Sequence, residues 1–143
     1  MDDMEIILTR LHDADMNVRW KAVTEVQGLP GDHAIEALLE RLRDEAPEVR
    51  AQAARMLLYK YHAHIVPQVL PLLRDRSSEV RVAACQTLGG RYYREALLPL
   101  IDRLHDPEPE VRAAAARALG IYYSRRSVRA QAKSWMRSRF ASA

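Results

Sequence analysis

Cysteine is almost absent: Cys85 stands alone among 143 residues. A lone thiol excludes an intramolecular disulfide and a zinc site built from several cysteines, and it suits a reducing compartment. Aromatics are scarce too, 6% against 48% apolar residues overall. The core must therefore be built from Ala, Leu, Val and Ile, a composition suited to close helix packing. No apolar run approaches the ~20 residues of a membrane span. The N-terminus, with Asp2, Asp3 and Glu5, is acidic and shows no secretory signal. A cytoplasmic protein is expected. A Gly-rich phosphate loop and a nucleophile elbow are both missing. Acid is missing from one stretch: residues 120–143 carry six basic residues and no acidic one, while residues 1–119 carry 16 Lys or Arg against 19 Asp or Glu. The formal charge of +3 thus arises from one terminal segment and not from a basic body.

What is present is a repeat. Asp13, Asp44, Asp75 and Asp106 recur every 31 residues without insertion or deletion. In the same register come Val18, Val49, Val80 and Val111, then Arg19, Arg50, Arg81 and Arg112, then Ala22, Ala53, Ala84 and Ala115, then Val26, Leu57, Leu88 and Leu119. A fixed period of this size marks stacked helical units. Before each Asp lies an apolar set at i, i+3, i+4 and i+7: Met4, Ile7, Leu8, Leu11; Ile35, Leu38, Leu39, Leu42; Val66, Val69, Leu70, Leu73; and Leu97, Leu100, Ile101, Leu104. That spacing is one face of a helix. A second helix follows each Asp and buries the Val, Ala and Leu positions. Pro47, Pro107 and Pro109 fall where second helices begin, a place where a missing N–H costs least. Gly28, Gly89 and Gly120 are read as C-terminal caps. Pro71, inside the third first helix, should kink it.

Adding the period once more carries Leu97 to Val128, Ile101 to Ala132 and Leu104 to Trp135. Ser127–Phe140 is then a fifth first helix with no second helix behind it. The expected fold is all-α: a right-handed α-solenoid of about four and a half helical hairpins. It forms a single domain over 1–143, with repeats at about 4–30, 31–61, 62–92 and 93–123 and a C-terminal half-repeat cap at 124–143.

Asp106–Gly120, reading Asp-Pro-Glu-Pro-Glu-Val-Arg followed by an alanine-rich turn, resembles the signature of the short HEAT-like repeats, the type also found in phycobilin lyases. The resemblance covers about residues 4–135. It implies a stack in which one Asp and one Arg per unit form a structural ladder, here Asp13, Arg19, Asp44, Arg50, Asp75, Arg81, Asp106 and Arg112. An Asp before a helix caps free N–H groups, and an Arg six residues on can reach a neighbouring Asp. The repeat type includes scaffolds, chromophore lyases, a metal-dependent hydroxylase and DNA glycosylases. The chain departs from the pattern after its second helices: Tyr61-His62, Tyr92-Tyr93 and Tyr123-Ser124 stand where Gly-Asp turns are expected.

Three candidate sites follow. A concave row of second-helix residues, Trp20, Lys21, Thr24, Arg55, Gln86 and Arg117, suits protein binding. An aromatic edge, Tyr59, Tyr61, Tyr92, Tyr93, Tyr122 and Tyr123, falls in three inter-repeat turns. The terminal helix carries Arg125, Arg129, Lys133 and Arg137 at i+4, flanked by Arg126 and Arg139, with Val128, Trp135, Met136 and Phe140 on another face. It reads as an end cap, or as a basic surface for nucleic acid or an acidic partner. Catalytic signals are weak. His12, His33, His62, His64 and His105 form no ligand set, and the His-Glu pairs of the HEAT-repeat hydroxylase are missing. Cys85 is read as an inert core thiol. No metal, cofactor or catalytic residue is expected. The leading expectation is a non-enzymatic scaffold for another protein, with phycobilin-lyase-like chromophore handling and nucleic-acid binding through the basic C-terminal helix as alternatives.

Overall fold

The computed structural model describes residues 2–124 and 126–141. Nine α-helices are found among them: α1 (Asp3–Arg10), α2 (Met16–Glu25), α3 (Asp32–Arg41), α4 (Pro47–Leu57), α5 (Ile65–Val69), α6 (Ser78–Gly89), α7 (Leu97–Asp102), α8 (Pro109–Ser124) and α9 (Arg126–Phe140). The even-numbered helices begin at residues 16, 47, 78 and 109, so the sequence period is also the structural one. The chain is an α-solenoid. In it α2, α4, α6 and α8 pack side by side, α1, α3, α5 and α7 each fold back on the helix that follows, and α9 packs on α8. The odd helices touch one another far less. A two-layer stack whose one layer is packed more closely curves toward that layer, which makes the even helices the inner, concave face.

Close approach of the even helices depends on side chains that take little room. Ala53, Ala54, Ala83, Ala84 and Ala115 are buried, as are Val49, Val80 and Val111, while Val18 at the N-terminal end is half-buried. Leu38, Leu57, Leu73, Leu88 and Leu100 fill the space between the layers. The backbones of α6 and α8 come close at Gly89. A Cβ there would lie 2.7 Å from the Cβ and 2.8 Å from the Cα of Ala118. Gly89 therefore serves helix contact, and the helix ends beyond it at Gly90 in ordinary right-handed geometry.

The expected cap at Gly120 is not one: α8 runs on to Ser124, and Gly120 is exposed with nothing within 4 Å of a built Cβ. The same substitution should thus have opposite signs at two glycines. Gly89→Ala should cost about 1–3 kcal/mol by overpacking, and Gly120→Ala should gain up to about 1 kcal/mol from helix propensity. Thermal melts of the two variants check this, and equal shifts would show that α6 and α8 are not in contact there.

The odd helices are less regular. Pro71 has no N–H to offer the carbonyl of Pro67; α5 stops at Val69 and Leu70–Arg74 continues as a 3-10 turn. Around α7, Arg94–Ala96 and Arg103–His105 are also 3-10, and Leu104, expected on the buried face, is 36% exposed. No helix among the described residues is long and apolar enough to cross a membrane.

Candidate functional site

The turn between the layers is built alike in each unit. The N–H of Asp13, Asp44, Asp75 and Asp106 closes a turn onto the carbonyl three residues earlier. Each carboxylate then accepts the N–H two residues on, from Asp15, Ala46, Ser77 and Glu108, at 2.8–3.0 Å. These are the residues just before the helices, so the aspartates order the turn without capping the helical N–H groups as expected. The physical reason is reach: a side chain three residues ahead of the helix spans only two residues in this geometry.

From the preceding unit comes a guanidinium. Arg19 places Nε and Nη2 on the Asp44 carboxylate, both at 2.9 Å, and Nη1 on the Asp13 carbonyl at 2.8 Å. Arg50 repeats this with Asp75, at 3.0 and 2.9 Å, and Arg81 with Asp106, at 2.9 and 3.1 Å. Arg41 adds a bond to Asp44 and Arg103 one to Asp106. Burial alone would raise the carboxyl pKa of Asp44, Asp75 and Asp106. The arginine hydrogen bonds, the backbone N–H and the nearby positive charge outweigh it, and all three are held below the usual carboxylate range. Among the described residues Arg112 and Asp13 have no such partner: Arg112 Nη1 bonds the Asp106 and Pro107 carbonyls, and the Asp13 carboxylate accepts the N–H of Asp15.

On the inner face the row is present with unequal exposure. Trp20, Lys21, Thr24, Gln86 and Arg117 are exposed and Arg55 is half-buried. Thr24 Oγ1 donates to the Trp20 carbonyl and accepts from Gln52 Nε2, both at 3.2 Å, which ties α2 to α4. Arg55 reaches Glu79 of α6 at 3.6 Å. Between α6 and α8 an apolar pocket of about 240 Å³ opens on this face, walled by Leu58, Ala114, Ala118 and Ile121 with Gln86 and Arg117 at its rim. Cys85 lies at its base, fully buried; burial pushes its thiol up to about 12, so it is no nucleophile at neutral pH. Thr87, whose hydroxyl lies 2.6 Å from the Ala54 carbonyl, and Gln52 are inter-helix ties that the sequence pattern did not single out. Gln52 shares its register with Lys21, Ala83 and Ala114, and Thr87 with Glu25, Met56 and Ala118, so no repeated residue type marked either as a tie.

The tyrosines do not form one edge. Tyr59 and Tyr61 are 70% and 68% exposed, and the Arg91 guanidinium lies 3.2 Å over the Tyr61 ring. Tyr92 and Tyr93 are half-buried. Tyr122, expected beside them, is 0% exposed: α8 runs on through residues 121–124, so Tyr122 is helical and turned inward. Its hydroxyl donates to the Leu88 carbonyl at 2.7 Å and accepts the Tyr93 N–H at 3.2 Å, and its ring meets Tyr92 edge-on at 5.0 Å. The expected turn at Tyr123-Ser124 is likewise helix, and the side chain of Tyr123 lies outside the described residues.

In α9, Lys133, Arg137 and Arg139 are exposed, and Trp135 is half-buried beside Leu98 and Ile101 of α7. The side chains of Arg125, Arg126, Val128, Arg129, Ala132 and Phe140, expected on the faces of the terminal helix, lie outside the described residues. No three His, Cys, Asp or Glu side chains gather as a metal centre requires among the described residues.

A regular stack of helical hairpins tied by an Asp–Arg ladder defines the class, and the comparison agrees: the profile of HEAT repeats matches residues 4–61 and 66–139. The chain belongs to the HEAT-repeat family. Among solved structures it is similar to human deoxyhypusine hydroxylase in complex with glycerol. The identity is 25% and the TM-score 0.71, over 87% of this chain and 45% of that one. It also resembles two engineered proteins at 23% and 21% identity, each with a TM-score of 0.61 and 85% of this chain covered. Those two likenesses concern the fold alone. The chain spans 45–64% of the lengths of these three proteins. A comparison with curated protein sequences finds no match.

Proposed function

We propose that the chain is a non-enzymatic scaffold that binds another protein across its concave face, with Tyr59 and Tyr61 at the rim. One observation carries this reading: the apolar pocket between α6 and α8 opens beside Gln86 and Arg117, in line with Arg55 and Thr24. A pocket for an apolar anchor flanked by arginine is the composition that dominates protein interfaces. Crevices of about 390–400 Å³ also lie around Trp135, at the turns bearing Asp13 and Asp44, and between α5 and α7. Arg74, Asp102 and Arg103 line the one between α5 and α7, in the outer layer.

The test is affinity capture with the full chain as bait. The wild type should retain a stoichiometric protein partner, and Arg55→Ala with Arg117→Glu should weaken it at least about tenfold. Arg74→Glu, on the outer layer, should leave it in place. A partner lost through Arg74→Glu and kept by the double variant would overturn the reading. A co-purified pigment, or DNA binding that falls by several powers of the salt concentration, would replace it with another class.

A further inference from the structure

The polar row of the inner face is bordered by an apolar margin. One turn beyond Arg55, Gln86 and Arg117 the same register holds Tyr59, Gly90 and Ile121, all exposed. Helix α6 lies between α4 and α8, and Gln86 and Gly90 stay exposed there. The strip therefore faces the inside of the curve and does not depend on where the stack begins or stops.

Two places on it suit an apolar side chain. One is the pocket of about 240 Å³ between α6 and α8, walled by Leu58 and Ile121. The other is the surface of Tyr59 and Tyr61 just past α4, both largely exposed. The charge at each is positive. Arg117 lines the pocket, and no carboxylate does so among the described residues. Arg91 lies 3.2 Å over the Tyr61 ring. Arg55, the row's member on α4, shares its charge with Glu79 at 3.6 Å.

Spacing and chemistry select the conformation of a guest. Helices packed side by side have axes about 8–10 Å apart, so the pocket lies one and a half spacings from Tyr59, about 12–15 Å. An extended chain covers that in four residues at about 3.3 Å each, and an even step returns both side chains to the same face. Between the two places Gly90 has no side chain and leaves room for a backbone. Gln86 beside it presents amide donors and an acceptor, which an extended backbone can pair with. A helix has its backbone groups already satisfied and gains nothing from that amide.

We propose that this margin binds an extended, acidic segment of the partner protein, laid across α4, α6 and α8. One apolar side chain rests on Tyr59 and Tyr61, and a second, four positions on, enters the pocket. An Asp or Glu at the middle position faces Gln86, between Arg55 and Arg117, and is held by charge complementarity. The inference rests on the concave-face reading and adds the conformation and residue pattern of the guest.

The probe is a phage-displayed library of random dodecapeptides selected on the immobilised full chain. Enriched sequences should share two apolar residues four apart with an acid midway. The enriched peptide, labelled and titrated by fluorescence anisotropy, should bind Gln86→Trp, Tyr59→Ala and Arg117→Glu about tenfold or more weakly than wild type. Gln86→Trp covers the pocket mouth from an exposed position, and Arg74→Glu on the outer layer should change nothing. Circular dichroism melts establish that each variant is folded. Peptides that need the pocket but are basic, or that carry helical spacing, would overturn this inference and leave the scaffold reading standing. Peptides indifferent to all three variants, or no enriched sequence at all, would overturn it too. Affinity capture with Arg55→Ala and Arg117→Glu judges the broader reading separately.

Discussion

Asp106→Ala should lower the melting temperature by on the order of 10 °C, the largest fall for any single ladder residue. The Asp106 side chain is 0% exposed and takes two bonds from Arg81, one from Arg103 and one from the Glu108 N–H. Its removal leaves Arg81, whose side chain is 11% exposed, charged and without its counter-ion. Breaking a buried pair from one side costs about 3–5 kcal/mol, and each kcal/mol moves the midpoint of a domain of this size by roughly 3–4 °C. Asp13→Ala, whose carboxylate meets no arginine among the described residues, should stay within about 0.5 kcal/mol of wild type. The same carboxylates set the acid limit. With Asp44, Asp75 and Asp106 held below their ordinary pKa, the unfolded chain takes up protons first as pH falls. Their contribution is whole above about pH 4 and is lost as pH drops through the lower folded values. Urea melts at pH 7 and in steps below pH 4 should show wild type losing stability more steeply than Asp106→Ala. Parallel curves, or a shift at pH 7 of under about 2 °C, would show that the rung carries little energy.

Tyr122→Ala should cost about 3–5 kcal/mol, the range for emptying a large aromatic site. The ring is fully enclosed, and its hydroxyl serves the Leu88 carbonyl and the Tyr93 N–H, two backbone groups on separate segments. Tyr122→Phe keeps the volume and removes the hydroxyl, so it isolates the polar share, about 1–3 kcal/mol for groups left unsatisfied. Urea denaturation of the pair separates packing from bonding. A Tyr122→Phe variant as unstable as Tyr122→Ala would mean that the hydroxyl dominates; two wild-type-like variants would place the ring at the surface.

Register was the part of the fold that could be read from residues alone. The contact that makes an Asp or an Arg necessary recurs with each hairpin, so the residue recurs as well. The inner layer was legible for the same reason, through Ala53, Ala84 and Ala115. Helix ends were not. Gly120 carries the local signature of a cap, yet the burial of Tyr122 two residues later outweighs it and draws α8 on by a turn. That added turn also splits the tyrosines, which share a sequence position without sharing an environment. The sites divide likewise. Thr24, Arg55, Gln86 and Arg117 were visible as a row because the inner surface follows the period. The pocket beside Gln86 was not, because it depends on Gly90 and Ile121, where unit-to-unit differences and not similarities open space.

All three rungs lie where the even helices begin, and the segments bearing Tyr59, Tyr61 and Arg91 lie where they end. The protein is in effect a book bound along one side. Its bidentate clasps fix the distance between neighbouring units at the spine, while the far margin is held by the Tyr122 contact, the Arg91–Tyr61 stack and side-chain packing. Bending should open the leaves at that margin, and a guest drawn into the curved interior would be admitted from there.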